Sequence, residues 1–376
     1  MFSRVPVPIV KTLVACFVCL VPVGAAVAAS PSAVLAHEFV FRKAEFSQCH
    51  ASTIAETTDG SLVVAWFGGT REGRKDVSIW VSRRVGNRWT EPVRVADGVQ
   101  PTGSRFPCWN PVLFQPKTGP LMLFFKVGPS PRAWWGEWMI SADAGKTWKR
   151  RQRLPGQGIG PVKNKPVQLA DGTIWCGSST EHDGWQVHLE MTRDLGKTWT
   201  RSGPFCDGKK VGAIQPSLLL YDRGRRWQML CRNRNGQGDL WQTWSGDGGR
   251  TWSRFESTGL PNPNAGTDAV TLREGTQVLV YNHTNRRGEF PSGRNMLNLS
   301  TSRNGRDWTA ALVLERDKSE YSYPAVIQGR DGRIHIVYTW RRLRVRHVVV
   351  DGSRLTGHPI RDRKWPDGVG RLPAGR

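Results

Sequence analysis

The chain has 376 residues, 54 Lys plus Arg against 31 Asp plus Glu for a formal charge of +23, and 38% hydrophobic residues including 18 Trp. That is enough apolar material for one large domain or two ordinary ones and too much for a disordered chain, and no three-residue glycine period points to collagen. The basic balance suits an anionic partner such as an acidic polysaccharide, or simply a solvated surface, while no base-stacking motif or recognition element supports a nucleic-acid partner.

At the N-terminus, Arg4 and Lys11 flank an apolar run from Thr12 to Ala29 that ends in Ala26-Val27-Ala28. This pattern reads as a secretory signal over residues 1–28, so the mature protein is expected to be secreted or periplasmic, with an uncleaved anchor as the alternative. No later segment is long and apolar enough to span a membrane. Beyond the signal lie Cys49, Cys108, Cys176, Cys206 and Cys231. An odd number at spacings that fit no zinc or thiol-redox motif leaves at least one thiol free or paired between chains, and neither a metal nor a cofactor is expected.

Two repeats run through residues 37–353. The first is Ser/Thr-x-Asp-x-Gly-x-Thr-Trp, present as Ser141 to Trp148, Thr192 to Trp199 and Ser245 to Trp252, with degenerate copies at Ser82 to Trp89 and Ser302 to Trp308. Its Asp accepts backbone N–H bonds across a tight loop, its Gly supplies positive φ, and its Trp packs between units, so the expected role is structural. The second repeat places a polar residue and Pro or Ser/Thr before an apolar strand, a Gly turn and another strand. Its copies start at His50, Trp109, Asn164, Ile214, Thr267 and Ser322. Six units with strand patterning and no sustained helical period predict an all-β fold, a six-bladed β-propeller with Asp-box repeats. A basic tail, residues 354–376, follows and is expected to be partly disordered.

The Asp boxes and the six-fold count resemble the sialidase (neuraminidase) superfamily over essentially the whole mature chain. That resemblance implies an exo-α-sialidase-like glycoside hydrolase acting on a terminal acidic sugar, with catalytic groups where the innermost strands begin. It assigns Tyr321, in Tyr321-Ser322, as nucleophile, Asp76 as general acid, and Arg232 and Arg294 as two arginines that grip the substrate carboxylate. Two positions depart from the family. Cys49-His50-Ala51-Ser52 places His50 where the first arginine is expected, and Gln215-Pro216-Ser217 puts an amide where a Glu should polarise the tyrosine. A neutral Gln cannot take the phenolic proton.

The expected funnel holds His50, Asp76, Asn110, Lys165, Gln215, Arg232, Asp268, Arg294 and Tyr321, with His182 and His283 near its rim. Arginines converging on one cavity favour a carboxylate ligand, because the guanidinium fork pairs with it bidentately. Two other readings stay open. One is a polysaccharide lyase on a uronate, in which His50 and Tyr321 divide the proton transfers; the other is a non-catalytic propeller that binds an acidic glycan.

Overall fold

A computed structural model of the chain describes residues 32–156, 158–234 and 238–373, together with residues 1–3 and 6. The segment read as a signal falls almost wholly outside them. Residues Met1–Ser32 form one unit and Ala33–Arg376 the other, and the second carries the fold. Among the described residues there is no α-helix, only two short 3-10 turns, and no helix long and apolar enough to cross a membrane.

Six antiparallel sheets build six blades of a β-propeller. The innermost strands are Gln48–Glu56, Cys108–Phe114, Val167–Gln168, Ala213–Tyr221, Asp268–Thr271 and Tyr321–Gln328, for blades 1 to 6 in chain order. Inner strands touch between blades 4 and 5 and between blades 5 and 6, blade 3 meets the inner strand of blade 4 through Ile174–Thr180, and Gln48–Glu56 meets both Cys108–Phe114 and Tyr321–Gln328, which joins blade 1 to blades 2 and 6. Closure is completed from the N-terminal side. Val34–Phe39 pairs antiparallel with Arg344–Val350 and forms the outer strand of blade 6. Full closure leaves the propeller no long exposed sheet edge between its ends.

Strand composition follows this architecture. Leu62–Gly69 is buried along its whole length and reads as a continuous apolar run, because both faces of a blade pack on neighbouring blades. The outer strand Lys149–Arg153 is exposed along its whole length and carries Lys149, Arg150, Arg151 and Arg153. Charged outer strands discourage edge pairing between molecules.

The Asp boxes form the turns between third and fourth strands. In the second blade, Ser141 Oγ donates to Asp143 Oδ1 at 2.8 Å, Thr147 N to the same oxygen at 2.9 Å and Thr147 Oγ1 to Asp143 Oδ2 at 2.6 Å. The same bonds recur at Thr192, Asp194 and Thr198, and at Ser245, Asp247 and Thr251. In the fifth blade Asn304 replaces Asp, and its Oδ1 accepts from Arg306 N and Asp307 N at 2.8 Å in a turn one residue shorter. Since strands alternate in direction, these turns lie on the face opposite the starts of the inner strands.

The basic tail lies against blade 5. His358–Pro359 pairs with Thr309 and Ala310, Val313 N donates to Gly370 O at 2.9 Å, and Val369 is buried against Met296, Ala310 and Val313. The order arises because a handful of apolar residues, Trp365, Val369 and Leu372, dock among the basic ones. None of the five described cysteines forms a disulfide; four are buried and Cys206 is partly exposed.

Candidate functional site

Four inner strands begin with the same irregularity. Their pairing slips between His50 and Thr53, Trp109 and Val112, Ile214 and Ser217, and Ser322 and Ala325. Inside each slip one residue is left-handed: Ala51 (φ 57°), Asn110 (φ 38°), Gln215 (φ 57°) and Tyr323 (φ 52°). Three of the four precede a proline, which a bulge tolerates because no ladder N–H is needed there. Left-handed backbone costs a non-glycine residue roughly 1–2 kcal/mol, and a bulge uses that strain to aim a side chain.

Here the bulge re-aims Tyr323, and the expected placement of Tyr321 is corrected. The Tyr321 hydroxyl points away, donates to Asp317 Oδ2 at 2.5 Å and accepts from Arg341 Nε at 3.2 Å. Burial and then the Asp317 carboxylate push this phenol up to about 12. Tyr323, two residues on, faces the axis. Its hydroxyl accepts from Arg232 Nη1 at 2.7 Å and from Gln215 Nε2 at 3.4 Å, and its ring lies 4.1 Å from the His50 ring, centroid to centroid. A Cβ on Gly266 would sit 3.2 Å from that ring, so the glycine leaves the tyrosine its room.

Arg232 is nine-tenths buried, and its other acceptors are Asn264 Oδ1 at 2.7 Å and Gln215 Oε1 at 3.4 Å. Its guanidinium stacks over Trp185 at 5.1 Å and over Tyr323 at 5.7 Å. Among the described residues its hydrogen-bond acceptors are all neutral, and the carboxyl in its field is that of Glu181. Arg294 lies over the Tyr323 ring at 5.5 Å and pairs with Glu320 at 3.1 Å. Glu320 also holds Arg342 at 3.0 Å, and Arg342 reaches Glu72 at 2.5 Å. Arg341 and Arg342 occupy the two left-handed positions of a tight hairpin, φ 55° and 60°, where Asn-Gly is the usual solution. The hairpin directs Arg342 toward His50.

His50 is buried, and Nδ1 meets Thr339 Oγ1 at 3.0 Å. Burial first, then Arg342, Arg294, Arg232 and Lys163, holds its imidazole well below the usual histidine range, so it is neutral at pH 7. Its side chain therefore joins the cluster, while the residue equivalent to Gln215 and Tyr323 in blade 1 is Ala51.

Lys165 and Asp268 have a different position from the one expected. Lys165 Nζ meets Asp268 Oδ2 at 2.9 Å, and Asp268 also accepts from Ser217 Oγ at 3.1 Å and Val326 N at 2.9 Å. One carboxylate thus ties blades 3, 4, 5 and 6 together below the tyrosine. The lysine that faces the cluster is Lys163, left-handed at φ 73°, whose Nζ donates to Thr267 O at 2.7 Å and to Pro324 O. Burial lowers this ammonium to about 7.

Asp76 is exposed and folded back on its own loop, where its Oδ2 accepts from Thr70 N at 2.7 Å and Thr70 Oγ1 at 2.6 Å. Partial burial would raise this carboxyl, but the two Thr70 donors outweigh it and the net shift is downward. Asn110 is buried at its bulge. His182 sits in a turn by Gly184, and His283 belongs to the outer part of blade 5, bonded to Tyr281 at 2.6 Å.

Glu181 has no motif to announce it. It follows Ile174–Thr180, receives a hydrogen bond from Trp185, and lies in the field of Arg232 and Arg132. Burial dominates and raises its carboxyl. Among the described residues no cluster of three or more His, Cys, Asp or Glu could hold a metal.

The BNR repeat-like domain family matches residues 60–336. No curated protein sequence matches the chain. Among solved structures, a Dyadobacter fermentans protein of unknown function superposes with a TM-score of 0.69 at 17% identity, covering 85% of this chain and 98% of that one. The K499G mutant of the NanB sialidase from Streptococcus pneumoniae gives 0.67 at 13% identity over 84% of this chain and 71% of its own. The leech intramolecular trans-sialidase gives 0.64 at 12% identity over 83% and 69%. At these identities the likeness establishes a shared propeller.

Proposed function

The chain belongs to the BNR repeat-like family and has a sialidase-like propeller, and from that premise we propose that it is a glycoside hydrolase acting on a terminal acidic sugar. The observation that carries this reading is Arg232, a buried guanidinium with only neutral acceptors, donating to the Tyr323 hydroxyl at 2.7 Å. A buried guanidinium whose hydrogen bonds all go to neutral acceptors suits an anionic ligand, and its donation to the phenolic oxygen orients the Tyr323 hydroxyl.

Tyr323 is then the nucleophile: its oxygen bonds the anomeric carbon as the glycosidic bond breaks, Gln215 fixes its hydroxyl, and the neutral His50 whose ring lies 4.1 Å away takes the phenolic proton. Arg232 and Arg294 receive the substrate carboxylate. Arg342 contributes the third positive group that the first blade lacks, since His50 is neutral. Glu181 is the proton donor to the leaving oxygen, because a carboxyl raised by burial keeps its proton to higher pH, whereas Asp76 is held ionised. The test is turnover of a fluorogenic sialoside by wild type, Tyr323→Phe and Glu181→Gln. The reading requires activity that Tyr323→Phe removes and that Glu181→Gln lowers, most for poor leaving groups.

One observation favours a second reading, β-elimination on a uronate. The neutral His50 against Tyr323, with an amide at Gln215, supplies a base and an acid without a carboxylate partner. In that case a uronate polymer yields an unsaturated, ultraviolet-absorbing product while the sialoside stays intact.

A further inference from the structure

The strand directions place one cavity on the same face as Tyr323. It measures about 320 Å³ and lies between the outer parts of blades 4 and 5 and the C-terminal strap. Pro261 and Arg316 end the outer strands there, His283 follows the second strand of blade 5, and Met296 begins the third. Both ends of the strap are fixed, by the His358–Pro359 pairing and by the bonds of Val313 to Gly370 and Leu372, so its middle is a wall held in place.

Four cations line this cavity, Arg316, Arg363, Lys364 and Arg371, against the single carboxylate Asp367. Arg363 is already engaged, with Nη1 2.7 Å from Asp239 Oδ2, and its carbonyl accepts from His283 Nε2 at 2.9 Å. That bond fixes the His283 tautomer: Nε2 carries the proton, and Nδ1 accepts from the Tyr281 hydroxyl. Arg316, Lys364 and Arg371 have no ion pair among the described residues. Trp365 lies 5.2 Å from the His283 ring, and its Nε1 has no partner among the described residues. Three unpaired cations around a cavity walled by Trp365 and His283 fit a sugar that carries anionic substituents, through charge-assisted hydrogen bonds.

We propose that this cavity is a second glycan-binding site, which takes a sulfated sugar residue of an extended chain outside the Tyr323 funnel. It rests on the reading that the ligand is an acidic carbohydrate, and it is independent of which reaction the funnel performs. The strap gives the tail a purpose that neither its composition nor the blade repeat requires.

Calorimetric titration of the full chain with a chondroitin sulfate hexasaccharide, its desulfated counterpart, inorganic sulfate and inorganic phosphate tests the site. The sulfated hexasaccharide is expected to bind. Arg316→Ala combined with Lys364→Ala should weaken it at least tenfold without changing the melting temperature, and Tyr323→Phe and Arg232→Lys should leave that binding unchanged. Separate retention of binding by the two funnel variants distinguishes this site from the function proposed for Tyr323. Binding that survives the double variant, that is equal for the desulfated chain, that disappears with Arg232→Lys, or that occurs only for the free anions overturns the proposal.

Discussion

The two faces of the propeller are built on the same six-fold repeat and treat it in opposite ways. On one face, three turns repeat the same residues and the same bonds, down to the 2.6 Å contacts of Thr147, Thr198 and Thr251 with their aspartates. On the other, four inner strands share one backbone bulge but fill its left-handed position with Ala51, Asn110, Gln215 and Tyr323. Repetition with constant side chains marks scaffolding, because each blade meets the same packing problem. The repeated backbone with changing side chains coincides with the site proposed for this protein, where Gln215 and Tyr323 from two of these bulges meet Arg232 and His50.

The largest effect that sharpens this contrast lies on the axis. Asp268→Asn leaves Lys165 mostly buried without its counter-charge and should cost about 3 kcal/mol of unfolding free energy in urea denaturation. An unchanged midpoint would move the Lys165–Asp268 pair from scaffold to site.

Acid pH comes next. His50, His188, His283, His335 and His347 are all buried, and burial lowers each of them from 6.5. The unfolded chain binds their protons first as pH falls below 6.5, so their contribution is complete above that value and is lost progressively below it. For His283 and His335, at about 4, the loss is about 1.4 kcal/mol per pH unit for each between those limits. Thermal unfolding should therefore drop steeply between pH 6.5 and 5, and a flat profile there would contradict the buried neutral histidines.

A smaller effect separates charge from shape in the funnel. Arg232→Lys keeps the cation but loses the planar fork that reaches Tyr323, Asn264 and Gln215 together, and should lower kcat/KM roughly 10- to 100-fold. The smallest belongs to the opposite face. Asp194→Ala removes the acceptor of one box turn and should cost about 1 kcal/mol with turnover unchanged. Loss of activity in that variant would break the division between the faces.

Much of this was legible in the sequence. The box motif names its own turn chemistry, and six strand repeats with glycine turns require a closed propeller. The site was legible in part. Asn110, Gln215 and Tyr323 each precede a proline, so the repeat's own register points to Tyr323, whereas the likeness of Tyr321-Ser322 to a family dipeptide points two residues away. A bulge is the reason such a slip matters, since it decides which residue of a strand faces the axis. Lys163 was out of reach because the inner strand of blade 3 is only two residues long and its left-handed turn has no sequence mark. Glu181 and Arg342 come from loops whose placement depends on blades far away in sequence. Nor did composition reveal the strap, where three apolar residues order a basic tail.

The central claim, that the site is organised around Tyr323, is tested most directly by parallel turnover of Tyr323→Phe and Tyr321→Phe on a fluorogenic sialoside and on a uronate polymer. Whichever substrate wild type turns over, Tyr323→Phe should lose roughly a thousandfold while Tyr321→Phe stays within a fewfold of wild type. Loss confined to Tyr321→Phe, equal retention by both variants, or a wild type silent on both substrates would contradict it.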